Sequence, residues 1–229
     1  MMSPAARKEA ARWAQIEKDD PDFALLHYAE IGHLGKVRKL LKAGADPDTK
    51  QSIDTGIESV TDTPLYAAAG AGHLDVAAAL IAAGAAVDIE ADEGWRPIHH
   101  AALNGQHAMV ALLIQEGADM NRREELQRQT PLHIASSRGD DKTVSVLVAA
   151  GALRDVEDID GLKPSETVCS ISGGKDAEKK EKRNLIRGIF QAAADRDALH
   201  EKNARQALTT LQKDVVVAKL PSLRHRRPR

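Results

Sequence analysis

The chain has 229 residues, a formal net charge of -2, and 42% hydrophobic residues of which few are aromatic, at 3% of the chain. That length admits one or two domains, and a core must come from Ala, Leu, Val and Ile, which suits closely stacked helices better than a barrel or sandwich. The single cysteine, Cys169, excludes an intrachain disulfide framework and points to the cytosol or nucleus. No membrane span is expected, because the longest apolar stretch, Val76 to Val87, falls well short of the about 20 residues that a bilayer requires.

Residues 1–20 read as an N-terminal capping helix. Ser3 and Pro4 make a helix start, and Trp13 and Ile16 lie where they would cover an open end. Glu9 and Glu17 argue against an import presequence. Residues 21–170 then carry an internal repeat. The strings A-G-A-D-P-D from Ala43, A-G-A-A-V-D from Ala83, E-G-A-D-M-N from Glu116 and A-G-A-L-R-D from Ala150 place Gly44, Gly84, Gly117 and Gly151 in one register. A second signature keeps the same period: T-P-L-Y-A-A-A from Thr63, R-P-I-H-H-A-A from Arg96 and T-P-L-H-I-A-S from Thr130, with Pro164 in step after Pro131.

Each unit predicts two helices. Pro97 suits the first turn of a helix, with Ile98, Ala101 and Ala102 on one face. Met109, Val110, Leu113 and Ile114 form a second stripe, and Gly117 follows where a helix ends in the left-handed region. The paired small residues Ala68/Ala69, Ala101/Ala102 and Ala135/Ser136 let neighbouring helices approach. No unit can bury its stripe alone, so the units must stack.

The units vary along the chain. The first, from Phe23, has Tyr28 in a tight alanine slot, as a terminal unit does. The first hairpin is longer than the others and includes Thr49 to Asp62, a candidate contact loop. The fourth unit has Arg128 where a turn glycine is expected, so its hairpin is expected to differ in shape. Four units are clear, and the fifth, with Gly161 and Pro164, is a degenerate cap.

Residues 171–183 read as a charged spacer, residues 184–213 as a C-terminal helical segment with Leu185, Ile186, Ile189 and Phe190 in i, i+4 pairs, and residues 214–229 as a basic tail. From Ile171 onward there are 15 Lys and Arg against 7 Asp and Glu, so the preceding body is acidic. Arg224, Arg226, Arg227 and Arg229 give the tail the means to meet an acidic surface.

The two repeated signatures resemble the ankyrin-repeat family, whose unit is about 33 residues with a T-P-L-H mark. The resemblance runs from about Asp22 to Cys169. It implies an all-α solenoid of stacked helix-turn-helix units with hairpin loops, here with an extra C-terminal helix. It also implies that His99 and His133, with Tyr66 in the same slot, tie hairpin and helix backbones together. Leu113, Asp119, Met120 and Asn121 resemble the surroundings of asparagines hydroxylated in ankyrin hairpins, which makes Asn121 a modification candidate.

Carried over by position, partner-binding residues are the hairpin tips Asp92, Glu93, Trp95, Leu126, Gln127 and Gln129. The inner-helix positions Leu103, Asn104, Ser137 and Arg138 join them, with Gly70 and Ala71 in the second unit. Trp95 is the strongest of these as a binding hot spot. No H-E-x-x-H, P-loop or G-x-S-x-G string is present, so no enzyme, cofactor, metal or small-molecule substrate is expected. The expected function is protein–protein interaction through hairpin tips and a concave face, as an adaptor or structural subunit of an intracellular assembly. The alternative is a regulatory inhibitor or substrate-recognition subunit of an enzyme. The expected setting is the cytoplasm, the nucleus or a cytoskeletal assembly.

Overall fold

The computed structural model describes residues 4–54, 59–168 and 176–218. Contacts divide the chain into two compact units, one running to Ile189 and the other beginning at Phe190.

In the first unit, α1 (Pro4–Asp19) packs on α2 (Pro21–Glu30). Inner helices α2, α4 (Pro64–Ala71), α6 (Pro97–Leu103) and α8 (Pro131–Arg138) stack in one row. Outer helices α3 (Leu34–Lys42), α5 (Leu74–Ala82), α7 (His107–Gln115) and α9 (Asp141–Ala149) stack in a second row. The all-α solenoid expected from the period is therefore the observed architecture. Its spine is the pair of stripes read from the sequence: Leu25, Leu65, Ile98 and Leu132 from the inner helices and Val37, Leu80, Leu113 and Leu147 from the outer ones are all buried. Full burial of a side chain of this size is worth about 2–3 kcal/mol before the entropy of ordering is counted.

Side-chain caps start several of the helices. The Thr63 hydroxyl accepts from the Tyr66 N–H at 3.3 Å, Thr130 does the same for His133 at 3.4 Å, and Asp20 caps α2 by accepting from Phe23 at 2.9 Å. Between inner and outer helices the chain turns through Gly72, at φ 78°, beneath Gln106; a Cβ there would lie 2.4 Å from the Gln106 carboxamide. Any side chain at this position is thus strained, and the Gln106 carboxamide would have to move aside.

Trp13 of α1 stacks on His27 of α2 with ring centroids 3.9 Å apart. The Glu17 carboxylate fastens α1 further, accepting from the Tyr28 hydroxyl at 2.9 Å, from Lys39 at 3.1 Å and from Lys36. Burial pushes the Glu17 carboxyl up, but the hydrogen bonds from Lys36, Lys39 and Tyr28 outweigh it and bring the pKa down to about 2.

Two expectations need correction. The long first hairpin is not irregular throughout: β1 (Gln51–Asp54) pairs antiparallel with β2 (Ser59–Asp62), Gln51 opposite Asp62 and Asp54 opposite Ser59. An insertion with S-I-D and S-V-T alternation satisfies its own backbone in this way. The charged spacer and the helical segment from 184 are also not separate, since α10 runs from Asp176 to Ala218. D-A-E-K-K-E-K-R is made of strong helix formers, and Glu178 pairs with Lys182 one turn on at 3.4 Å. Within the first unit α10 buries Ile186 completely while Leu185 is 52% exposed. Beyond Ile189 the helix carries its own i, i+4 pairs, Gln191 with Asp195 at 2.9 Å and Arg205 with Glu201. In the fifth unit the described residues after Pro164 form a turn, closed by the Thr167 hydroxyl donating to the Pro164 carbonyl at 3.0 Å.

Candidate interaction surface

The hairpins project from the N-terminal ends of the inner helices, and a recurrent histidine fixes units three and four each to the next unit. His99 Nδ1 accepts from the Arg96 N–H at 3.2 Å while Nε2 donates to the Arg122 carbonyl at 3.0 Å. His133 repeats the arrangement with the Thr130 N–H at 3.2 Å and the Leu162 carbonyl at 3.1 Å. Both nitrogens are engaged in the neutral ring, so these residues are structural ties. Burial brings the His99 pKa down to about 4 and lowers that of His133 as well. Tyr66 in the same slot stacks on His100 at 4.2 Å, and His100 Nδ1 donates to the Tyr66 carbonyl at 3.1 Å.

A second set of ties was not anticipated. The buried Glu124 carboxylate accepts the backbone N–H groups of Leu126 at 2.8 Å, Gln127 at 3.0 Å and Gln129 at 2.7 Å. Asp158 serves the next hairpin, accepting from Asp160 at 3.0 Å and Leu162 at 2.9 Å. The available signal was an acidic residue opening the hairpins of units four and five, hidden among other charged residues. In unit three Arg96 stands where Thr63 and Thr130 cap units two and four; its buried side chain donates to the Asp88 carbonyl at 3.2 Å and pairs with Glu90.

The hairpin of unit four does differ in shape, since the Glu124 N–H bonds the Gln129 carbonyl five residues on where the Ala91 and Asp158 N–H groups each bond a carbonyl four residues on, but the left-handed turn itself is kept by Arg128. Arg128 adopts φ 54°, beside 72° and 74° for Gly94 and Gly161 in the same slot. The surrounding bonds impose the left-handed turn on a residue that does not favour it.

These ties hold the tips in fixed positions. Glu93 is exposed, Asp92 half-buried, and the half-buried Trp95 presents its ring edge-on to His99 at 5.9 Å. Leu126 is 53% exposed, Gln127 is exposed and Gln129 half-buried. On the inner helices Ala71, Asn104 and Arg138 occupy one slot, and all three are exposed. The preceding slot is not uniformly open. Leu103 is half-buried, Gly70 lies under His100, and Ser137 is buried with its hydroxyl folded back on the Ile134 carbonyl at 2.9 Å. Ser137 therefore offers no side chain to a partner, being short enough to bond its own helix. Asn121 uses its carboxamide oxygen to accept the Leu153 N–H at 2.8 Å. Cys169 and the arginines of the tail, Arg224, Arg226, Arg227 and Arg229, lie outside the described residues. Among the described residues no cluster of His, Cys, Asp and Glu is arranged to hold a metal ion, and no helix is long and apolar enough to cross a membrane.

Comparison with known proteins agrees with this geometry. The profile of ankyrin repeats in three copies matches residues 25–124 and 77–160. The chain is 37% identical over 95 residues to human protein phosphatase 1 regulatory subunit 27, a match covering 42% of this chain and 56% of that protein. A putative ankyrin repeat-containing protein of Treponema pallidum is 30% identical over 73% of this chain and 57% of its own length. Human SH3 and multiple ankyrin repeat domains protein 1 is 30% identical over 69% of this chain but only 8% of its own length. The matches to the human and mouse phosphatase subunits thus span about half of those relatives, 56% and 48%. A shared period, histidine ties at the family's positions and a profile match over more than half of its length together show that the chain belongs to the ankyrin-repeat family.

Proposed function

We propose that this chain is a non-catalytic adaptor or structural subunit that binds a protein partner across its hairpin tips and its concave inner-helix face. Ankyrin repeats imply protein–protein interaction, and the finer reading rests on one observation. The hairpins are locked from beneath by His99, His133 and Glu124, while Trp95, Leu126 and the slot of Asn104 and Arg138 are left facing outward. Fixing a contact surface before encounter reduces the ordering cost of binding, and a half-exposed tryptophan on a rigid turn is a natural anchor. His99, His100 and His133 are already engaged in structure, which supports a binding role over acid–base chemistry.

A second reading, a regulatory inhibitor or substrate-recognition subunit, is favoured by the likeness to a phosphatase regulatory subunit. Affinity purification with quantitative mass spectrometry, using the full chain and its Trp95→Ala and Arg138→Glu variants, separates the two. An adaptor recovers stoichiometric structural partners that the variants lose. A regulatory subunit recovers an enzyme whose activity changes on addition of the chain. Retention of every partner by both variants would remove the proposed surface. The same reading places the chain in the cytoplasm, the nucleus or a cytoskeletal assembly, with the basic tail as a second contact for an acidic surface.

A further inference from the structure

Two ladders of hydrogen bonds run from unit to unit along the hairpins. At the hairpin bases the residue four places after each terminal glycine lends a side-chain oxygen to the next unit. Asp48 accepts the Ala86 N–H at 2.8 Å, Asp88 accepts that of Asp119 at 2.9 Å, and Asn121 accepts that of Leu153 at 2.8 Å. At the tips the backbone takes over, with the Glu93 carbonyl accepting the Glu125 N–H at 2.8 Å and the Gln127 carbonyl accepting that of Ile159 at 2.9 Å.

Both ladders end in an open acceptor. Asp155 holds the slot of Asp48, Asp88 and Asn121, and Asp160 holds the slot of Glu93 and Gln127, counted from Pro164. Both are exposed, and no group among the described residues donates to the Asp155 carboxylate or the Asp160 carbonyl. At the other end of the array the equivalent N–H, that of Asp46, is already taken by the Asp22 side chain at 2.9 Å. The last hairpin also carries large apolar side chains in the open, Leu153 at 51%, Ile159 at 55% and Leu162 at 41% exposure, next to Leu126 at 53% on the preceding tip. A terminal unit usually closes an array with a polar outer face, and this hairpin does not.

We infer that the C-terminal end of the hairpin array, built from Asp155, Ile159, Asp160 and Leu162, is a docking edge for an extended segment of a partner protein. That segment continues both ladders, giving one backbone N–H to the Asp155 carboxylate and another to the Asp160 carbonyl. Its apolar side chains cover Ile159 and Leu162, a form of strand addition. This inference rests on the protein-binding reading above and narrows it to one end of the solenoid.

The test pans a display library of random peptides of about 12 residues, long enough for strand addition, on the full chain. Enriched peptides are then titrated against variants whose fold is checked by circular dichroism. Peptides with alternating apolar residues are expected, losing about tenfold or more in affinity on Ile159→Lys/Leu162→Lys, a change of the size one good anchor supplies. Asp155→Asn keeps an acceptor, as Asn121 does, and should retain binding, whereas Asp155→Leu should weaken it. Amide shifts confined to 153–162 would support the docking edge. Peptides lost on Trp95→Ala or Arg138→Glu but indifferent to the Ile159/Leu162 pair would preserve the general binding reading and overturn this one. So would failure to enrich any peptide, or self-association abolished by the same pair, which would put a second copy of the chain in the partner's place.

Discussion

His133 Nε2 lies 3.1 Å from the carbonyl oxygen of Leu162, so one ring nitrogen joins the fourth unit to the hairpin of the fifth. His99 does the same one unit earlier. Both rings must be neutral, because Nδ1 has to accept a backbone N–H.

Stability should therefore depend on pH well above the carboxylate range. Burial holds the folded-state pKa of His99 at about 4 and lowers those of His133 and His100, while in the unfolded chain all three return to about 6.5. As pH falls below about 6.5 the unfolded chain takes up protons that the folded chain refuses, so stability is full above that pH and declines toward 4. His99 alone accounts for on the order of 2–3 kcal/mol across this window. Glu17, brought down to about 2, behaves as a carboxylate: its contribution is full above 4.5 and is lost only as pH falls toward 2. Urea midpoints should drop between pH 7.5 and 5, and His99→Gln should flatten that slope. A midpoint constant over the range would contradict the neutral-ring assignment.

Arg128→Gly should stabilise the protein. Arg128 sits at φ 54° where its counterparts are glycine, and an L-residue in this region costs about 1–2 kcal/mol. Glycine's added freedom in the unfolded chain returns part of that, leaving a gain of about 0.5–1 kcal/mol in denaturant melts. Arg128→Val, β-branched in the same conformation, should lose stability.

Glu124→Ala removes the acceptor for three backbone amides, of Leu126, Gln127 and Gln129, in a buried turn. A loss of about 2–4 kcal/mol is expected. Hydrogen exchange would show it locally, with these amides exchanging faster while the core of α6 and α8 stays protected. Uniform loss of protection would instead mean that the hairpin and the helices unfold as one.

Thr143→Val should be neutral to stabilising by about 1 kcal/mol. Thr143 is fully buried, and its hydroxyl meets no partner among the described residues. Val76 fills the same slot in α5, also fully buried, so the shape already suits a valine. A lower melting temperature for the variant would reveal an ordered water on that hydroxyl.

What could be read from the sequence was whatever recurs. Gly44, Gly84, Gly117 and Gly151 mark left-handed helix ends, and their spacing with Pro64, Pro97 and Pro131 sets element order, row and register. The histidine ties were legible for the same reason, as one residue type in one slot. Glu124 was not, because in R-R-E-E-L-Q-R-Q nothing but geometry distinguishes a carboxylate turned inward from one left in water. The start of α10 was missed because Lys- and Glu-rich composition serves a solvated spacer and a solvated helix alike. Ser137 shows the limit of carrying positions over from a family: the short hydroxyl bonds its own helix and is buried there.

The side-chain oxygens of Asp48, Asp88 and Asn121 all point the same way along the chain, each serving the unit that follows and none the unit before. The array consequently has a direction, as a zipper does. An added module would find waiting contacts at Asp155 and Asp160, and a pulling force applied from that side would open the molecule tooth by tooth, whereas at the amino end it would first meet the clasp of Glu17 on Tyr28, Lys36 and Lys39.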